Sequence, residues 1–271
     1  MRLTVLGSCG TYVAAGRACS GYLLEAPGAG TRPTRVWVDA GAGSLANLMR
    51  HASLDELDAI WLSHLHVDHC TDLPVAYFAL RYGSWERTDR LPVYGPRGWA
   101  EHMAAFLTAD TGDGPRTMAD RFELHELDDG QRIQVGAVGL TAVATRHSVE
   151  TYGVRATAGG VTIGYSADSG PCEALGHLAG DADLFVCEAA WLERPEGAEA
   201  IHCCPAEAGE WAARAGARQL VLTHLRPGMD ATASLDRAAA AFGRPVRVAR
   251  EGDSYEPGSG RRVLGAGIEP S

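Results

Sequence analysis

Ile60-Trp61-Leu62-Ser63-His64-Leu65-His66-Val67-Asp68-His69 orders the rest of the chain around it. Its apolar start reads as the end of a buried strand. Three histidines and an aspartate then fall within six positions. In extended backbone, residues two apart point the same way, so His64 and His66 can hold one cation together. Asp68 and His69 lie where the chain must turn into a helix that starts near Thr71, and the turn sends their side chains toward a second position. Imidazole nitrogen and carboxylate oxygen suit borderline divalent ions, with zinc first and manganese as the alternative. A surface loop that is merely polar would do as well with serine or asparagine, so the stretch reads as a metal site.

Outward from it, strands are expected over residues 1–6, 21–25 and 35–39, and a short helix over 45–50. Gly41-x-Gly43-x-x-Ala46 has the spacing of a dinucleotide-binding turn. No βαβ unit continues from it, so it reads as a tight turn that lets Asp39 support the metal loop. Downstream, the pattern predicts an amphipathic helix over 73–82, a strand over 91–94 and a helix over 96–107. A mobile polar connection is expected over 108–120. Strands within 122–143 are expected to pair about Asp128-Asp129-Gly130, and 152–165 reads as a hairpin turning at Gly159-Gly160. Helices over 171–178, 205–215 and 234–242 then alternate with strands over 184–187, 219–223 and 246–250. Three of these later strands end next to a ligand-type residue: His147, Asp168 and His224. Ser166 sits in Gly164-Tyr165-Ser166-Ala167-Asp168, where Asp168 replaces the second glycine of a nucleophile elbow. A serine hydrolase is therefore rejected.

Composition narrows the function further. With 271 residues, 46% apolar and 21% charged, the chain is expected to form one α/β domain over 1–271, its tail after residue 258 loosely held. No run approaches the ~18 apolar residues of a membrane span. The N-terminus enters a strand-like run directly, which predicts a cytoplasmic protein. Seven cysteines without a Cys-x-x-Cys pair read as free thiols of a reducing compartment. A net charge of −10 argues against capture of long nucleic acid, which needs a basic face.

His-x-His-x-Asp-His after an apolar strand resembles the signature of the metallo-β-lactamase superfamily. That resemblance implies a four-layer αββα sandwich and a hydrolase with two divalent ions. By it, His64, His66 and His147 hold one ion, Asp68, His69 and His224 hold the other, and Asp168 bridges them. Two dications about 3.5–4 Å apart share a water and acidify it toward neutrality, so no nucleophilic side chain is required.

Further motifs resemble the ribonuclease Z-like phosphodiesterase branch, over residues 1 to about 225. They are Leu6-Gly7-Ser8-Cys9-Gly10, Asp39-x-Gly41-x-Gly43, Cys187-Glu188-Ala189 and Ile201-His202-Cys203-Cys204-Pro205. Branch logic makes His202 the acid that protonates a leaving alkoxide, with Asp68 helping to position the chemistry. Glu188 is expected to support a ligand histidine, and Arg226 to contact a phosphate. The resembled tRNA enzymes carry a long arm between the His147-type and Asp168-type ligands. Here 21 positions separate them, and a hairpin fills the gap. The whole chain resembles compact actinobacterial relatives, some of which hydrolyse cyclic nucleotides. The expected substrate is therefore a small phosphodiester, a 3′,5′-cyclic nucleotide first. A carboxylic ester, thioester or lactone is the rival, since the same ligand set attacks carbonyl and phosphoryl centres. tRNA 3′-end cleavage is disfavoured, and so is a non-catalytic metal-holding module. A homodimer is expected from the resemblance, with the apolar helix over 73–82 as a covering face.

Overall fold

The computed structural model describes residues 1–271 except 29, 31, 86, 108–115, 258–261 and 264–271. The first half of the chain lays down β1 (Arg2–Gly7), β2 (Gly21–Ala26), β3 (Thr34–Val38), β4 (Ala59–Trp61), β5 (Leu91–Gly95) and β6 (Phe122–Glu126). The second half lays down β7 (Arg132–Val135), β8 (Val138–Ala144), β9 (Tyr152–Ala158), β10 (Val161–Tyr165), β11 (Leu184–Glu188), β12 (Leu220–Thr223) and β13 (Val246–Val248). β14 (Ser254–Tyr255) and β15 (Arg262–Val263) return to the first sheet and extend it beyond β1. Among the described residues the two sheets have eight and seven strands. Each begins as an antiparallel meander and ends in parallel strands: β3 to β6 in one, β10 to β13 in the other.

Helices α1 (Ser44–Leu48), α2 (Val67–Cys70), α3 (Asp72–Tyr82) and α4 (Trp99–Ala104) go with the first half. Helices α5 (Glu173–Ala179), α6 (Pro205–Arg214) and α7 (Ala231–Phe242) go with the second. Strand alternation explains the layers. Val36, Val38 and Trp61 face the second sheet, while Trp37 and Ile60 face the helices of the first half. Leu184 and Val186 face inward, and Phe185 and Cys187 pack under α5 and α6. Strands covered on both sides read as apolar runs, which is how β4 reads, and β11 and β12 up to Glu188 and Thr223 at their ends. Each fully buried Val, Leu or Phe side chain contributes about 1.5–3 kcal/mol. This is the expected αββα sandwich.

Three local expectations change. Asp128-Asp129-Gly130 is not a hairpin turn, because β6 and β7 belong to different sheets. The segment carries the chain between sheets and is tied to the end of β8, where Gly130 donates to the Ala142 carbonyl at 3.0 Å and Ala144 to Asp129 Oδ1 at 2.8 Å. The hairpin joins β7 to β8 instead, turning at Gly136 (φ 50°). The helix expected from residue 96 starts at Trp99, because Gly98 before it is left-handed (φ 71°). Of the connection over 108–120, residues 108–115 lie outside the described residues. Met118–Asp120 is a 3₁₀ turn held by Tyr77 Oη donating to Asp120 at 2.9 Å. Of the tail after 258, only β15 is described.

The Ser53–Glu56 turn before β4 carries a pH-dependent contribution to stability. Glu56 accepts from the Ser53 amide at 2.9 Å and pairs with Arg35 at 2.7 Å. The Ser53 amide first, then its hydroxyl and Arg35, hold the carboxyl below its usual range. For a depressed acid, the contribution is present above the unfolded pKa, about 4.3, and is lost as pH falls through the folded value. Glu56→Gln is expected to cost on the order of 0.5 kcal/mol at pH 7. Urea midpoints of the two proteins should converge by about pH 3; an equal gap at both pH values would refute this account.

Candidate metal centre

The parallel strands of both sheets deliver their carboxyl ends to one edge of the sandwich. Beyond β4 the backbone stays extended through His64 and His66, then turns as α2, which redirects Asp68 and His69. His147 follows β8, Asp168 follows β10 and His224 follows β12. All seven side chains meet. His64 Nε2 and His147 Nε2 each lie 3.1 Å from His66 Nδ1. Asp168 Oδ2 faces this trio, 3.8 Å from His64 Nε2 and 3.7 Å from His147 Nε2. Its other oxygen, Oδ1, lies 3.2 Å from His69 Nε2 and 3.4 Å from His224 Nε2. Asp68 Oδ2 completes the second group, 3.1 Å from His224 Nε2 and 3.7 Å from His69 Nε2. Two ligand groups thus share one carboxylate, which presents one oxygen to each.

The donor set fits two cations. His69 Nε2 and Asp168 Oδ1 are buried without a hydrogen-bond partner among the described residues. Three outward nitrogens, by contrast, are committed, while His224 Nδ1 is buried without a partner among the described residues. His147 Nδ1 donates to the Ile201 carbonyl at 2.9 Å, His69 Nδ1 meets Asp39 Oδ2 at 2.8 Å, and His64 Nδ1 meets Ser63 Oγ at 3.0 Å. A partner on one ring nitrogen leaves the lone pair of the other directed at the centre. Burial pushes His64, His66 and His147 below the usual imidazole range, which favours the neutral, ligating form. Burial would lift Asp68 and Asp168, but the surrounding imidazoles, His224 foremost, outweigh it and hold both carboxyls below their usual range. Burial opposes charge on His69 too, yet Asp168 and Asp39 raise it well above its ordinary value. The pocket around His69 calls for positive charge.

Asp39 is the hub of the support. It accepts from the Ser63 amide (2.7 Å), Ser63 Oγ (2.9 Å) and Tyr165 Oη (2.8 Å), besides holding His69. Gly41 lets the same turn press on α2: a Cβ there would lie 2.1 Å from the Asp68 carbonyl oxygen. Gly10 does likewise for His224, since a Cβ would stand 2.8 Å from its Nδ1. Five non-glycine residues have left-handed backbone among the described residues, and Thr11, Asp39, Ala167 and His224 are four of them. Strain of this kind, about 1–3 kcal/mol each, persists where surrounding contacts over-determine the site.

His202 lies beside the ligands on the loop before α6, its side chain 13% exposed. Its Nδ1 meets Glu188 Oε1 at 2.8 Å and lies 3.8 Å from Asp168 Oδ2. Burial opposes protonation of His202, but Glu188 and Asp168 outweigh it and raise its pKa. Glu188 is fully buried and accepts from the Ser169 and Ala190 amides, both at 2.9 Å. It therefore supports His202, not one of the seven ligand candidates as expected from sequence. His202 also falls within ligand range of Asp168 and His224, but Glu188 already occupies its Nδ1. Arg226 is exposed, its guanidinium 5.7 Å from the Trp191 ring, and Trp191 packs edge-on to His202 at 5.2 Å. Of the aromatics available to a base, Trp191 borders the site and Tyr12 follows Thr11, whereas Trp85 donates to the Ala79 carbonyl at 2.6 Å on α3.

Sequence reading missed Thr11, whose amide donates to Asp68 Oδ2 at 2.7 Å, and the Ile201 carbonyl on His147. Both act through backbone, which no side-chain pattern announces. Ser63 and Tyr165 were legible as neighbours of the ligand stretches but not as partners of Asp39. No helix among the described residues is long and apolar enough to cross a membrane.

Comparison with known proteins gives a consistent picture. The profile of the Beta-lactamase superfamily domain matches residues 34–225. A Mycobacterium leprae (strain TN) protein is 35% identical over 265 residues, which is 97% of this chain and 91% of that one. Ribonuclease Z of Myxococcus xanthus (strain DK1622) is 27% identical over 312 residues, covering 94% of this chain and 97% of its own. The crystal structure of YhfI from Bacillus subtilis, a metallo-β-lactamase fold protein, superposes with a TM-score of 0.80 at 30% identity, covering 94% of this chain and 98% of that one.

Proposed function

Since the chain belongs to the metallo-β-lactamase superfamily of metal-dependent hydrolases and fits its ribonuclease Z-like branch, we propose that it hydrolyses a small phosphodiester, a 3′,5′-cyclic nucleotide first. The observation that carries this reading is the Glu188–His202 pair beside the shared carboxylate Asp168.

In the proposal, His64, His66, His147 and Asp168 hold one divalent ion, and Asp68, His69, His224 and Asp168 the other. Bound there, such a pair supplies Lewis acidity and lowers the pKa of a coordinated water. The protein's own groups do the rest. Asp68, anchored by the Thr11 amide, orients the attacking water. As the new bond from water oxygen to phosphorus forms, the bond from phosphorus to O3′ breaks. His202 gives its proton to the departing O3′, and the proton that the attacking water loses passes to solvent, from which His202 is reprotonated. A sugar alkoxide leaves poorly without that proton, whereas a thiolate needs none. The buried Glu188 keeps His202 oriented and charged for the task.

The same pair disfavours the thioester branch of the rival reading and leaves an ester or lactone as the competitor. A long RNA is disfavoured by the net charge of −10 and by the short β9–β10 hairpin in the gap between ligands. Zinc is the proposed ion, from the imidazole-rich donor set. A cytoplasmic setting is supported by seven free cysteines, and a homodimer by Val75 and Tyr82 exposed on α3.

The test is a panel of cyclic AMP, a 2′,3′-cyclic nucleotide, bis(p-nitrophenyl) phosphate, a lactone, a carboxylic ester and a precursor tRNA, given to metal-loaded protein. Turnover of the small diesters is expected. Activity confined to esters or lactones, or to tRNA, would overturn the reading.

A further inference from the structure

A cleft of about 460 Å³ opens beside the metal centre, between the end of β13, the start of α7 and the loop before β2. Arg17, Arg226 and Arg250 line it, with Glu251 as its acidic wall. The acid is already engaged. Glu251 Oε1 accepts from the Ser8 amide at 3.1 Å and the Ala18 amide at 3.3 Å, and Oε2 stands 3.8 Å from Arg17. No carboxylate pairs with Arg226 or Arg250 among the described residues, and both are exposed. In a chain of net charge −10, a cleft whose cations outnumber its anions by two is a local reversal of sign.

The cleft is joined to the metal centre by named contacts. Buried Leu225 forms part of its wall, directly after the ligand candidate His224, and accepts from the Gly10 amide at 3.2 Å. Only Leu225 separates His224 from Arg226, so their Cα atoms lie at most about 7 Å apart and the arginine stems from the rim of the centre. The side is informative as well. Arg226 reaches the centre through Trp191, whose ring touches His202. His202 is the group proposed to protonate the leaving oxygen, so the cleft lies on the leaving-group side.

We propose that this cleft is a second anion subsite, built for a terminal phosphate one nucleoside away from the scissile diester on its leaving side. Resting on the phosphodiesterase reading, the inference adds to the cyclic nucleotides a class of linear diesters whose leaving nucleoside carries its own 5′-phosphate, such as a 5′-phosphorylated dinucleotide. Guanidinium forks bind phosphate oxygens in pairs, and Arg226 and Arg250 offer two such forks to one phosphomonoester, while Arg17 is held by Glu251 and Ser8 Oγ. Met229 and Val248 give the cleft apolar wall against which a sugar can rest.

The test compares the linear dinucleotide ApA with its 5′-phosphorylated form pApA on metal-loaded protein. The kcat/KM ratio of pApA to ApA is expected to be about tenfold or more, carried mainly by KM. Arg250→Glu should bring the ratio to one or below. A ratio near one in the unmodified protein, or one that survives the charge reversal, overturns the subsite, while turnover of ApA and cyclic AMP keeps the phosphodiesterase reading intact. If no diester is turned over, that reading fails, and binding decides the subsite alone. 5′-AMP titrated into metal-free protein by calorimetry should bind, and more weakly to Arg250→Glu; equal binding by the two proteins overturns it.

Discussion

Replacing Asp168 with alanine is expected to leave a folded protein that holds at most one divalent ion per chain, against two in the parent, and to cut diester hydrolysis by at least about 10³-fold. The expectation follows from the two oxygens of this carboxylate. One faces His64 and His147, the other His69 and His224, all within 3.2–3.8 Å. Removing it takes a donor from both groups at once and leaves six ligand candidates with one carboxylate among them. Two cations held close with less negative charge between them repel, and the weaker group empties first. Asp168→Asn, which keeps the shape and removes the charge, should behave in the same direction. Metal analysis after gel filtration and circular dichroism on the same samples check occupancy and folding together. Two equivalents retained in both variants would remove Asp168 from the shared position. Chelation of the parent protein should also lower its melting temperature, since ions that bind only the folded state stabilise it by mass action.

The second large effect belongs to His202. His202→Ala is expected to slow cyclic AMP hydrolysis by about 10²–10⁴-fold, the usual range for a lost general acid. Bis(p-nitrophenyl) phosphate should suffer about tenfold or less, because p-nitrophenolate departs without a proton. Metal content should stay at two equivalents, which separates the acid from a ligand: a ligand variant loses metal and both substrates alike. Glu188→Gln should show the same leaving-group contrast at smaller size, since it acts only by holding His202 through a 2.8 Å contact. Equal losses on the two diesters would end the acid assignment for His202.

Much of this was legible in the chain itself. The stretch from Ile60 to His69 states its own chemistry, because two-residue alternation and a following turn are local geometry. The strand ends at His147, Asp168 and His224 were legible too, although their choice as ligand candidates rested on the family resemblance, and so were the layers, since strands covered on both faces are mostly apolar. The hairpin at Gly159-Gly160 is equally local, both glycines lying at positive φ.

What only the tertiary structure decided is long-range in sequence. Asp39 is gripped by Tyr165 from 126 positions away, and Asp68 by the Thr11 amide from 57. The partner of Glu188 turned out to be His202, fourteen positions on, because the loop before α6 folds back over β11. The turn at Asp128-Asp129-Gly130 has hairpin chemistry but crosses between sheets, since β6 pairs with β5 and β7 with β8. The arginine cleft gathers residues 17, 226 and 250 from three separate segments. Local pattern sets which way a side chain leaves its own strand or helix. Which distant group it meets depends on how two sheets stack and which edges they share, and that is settled by packing of the whole core.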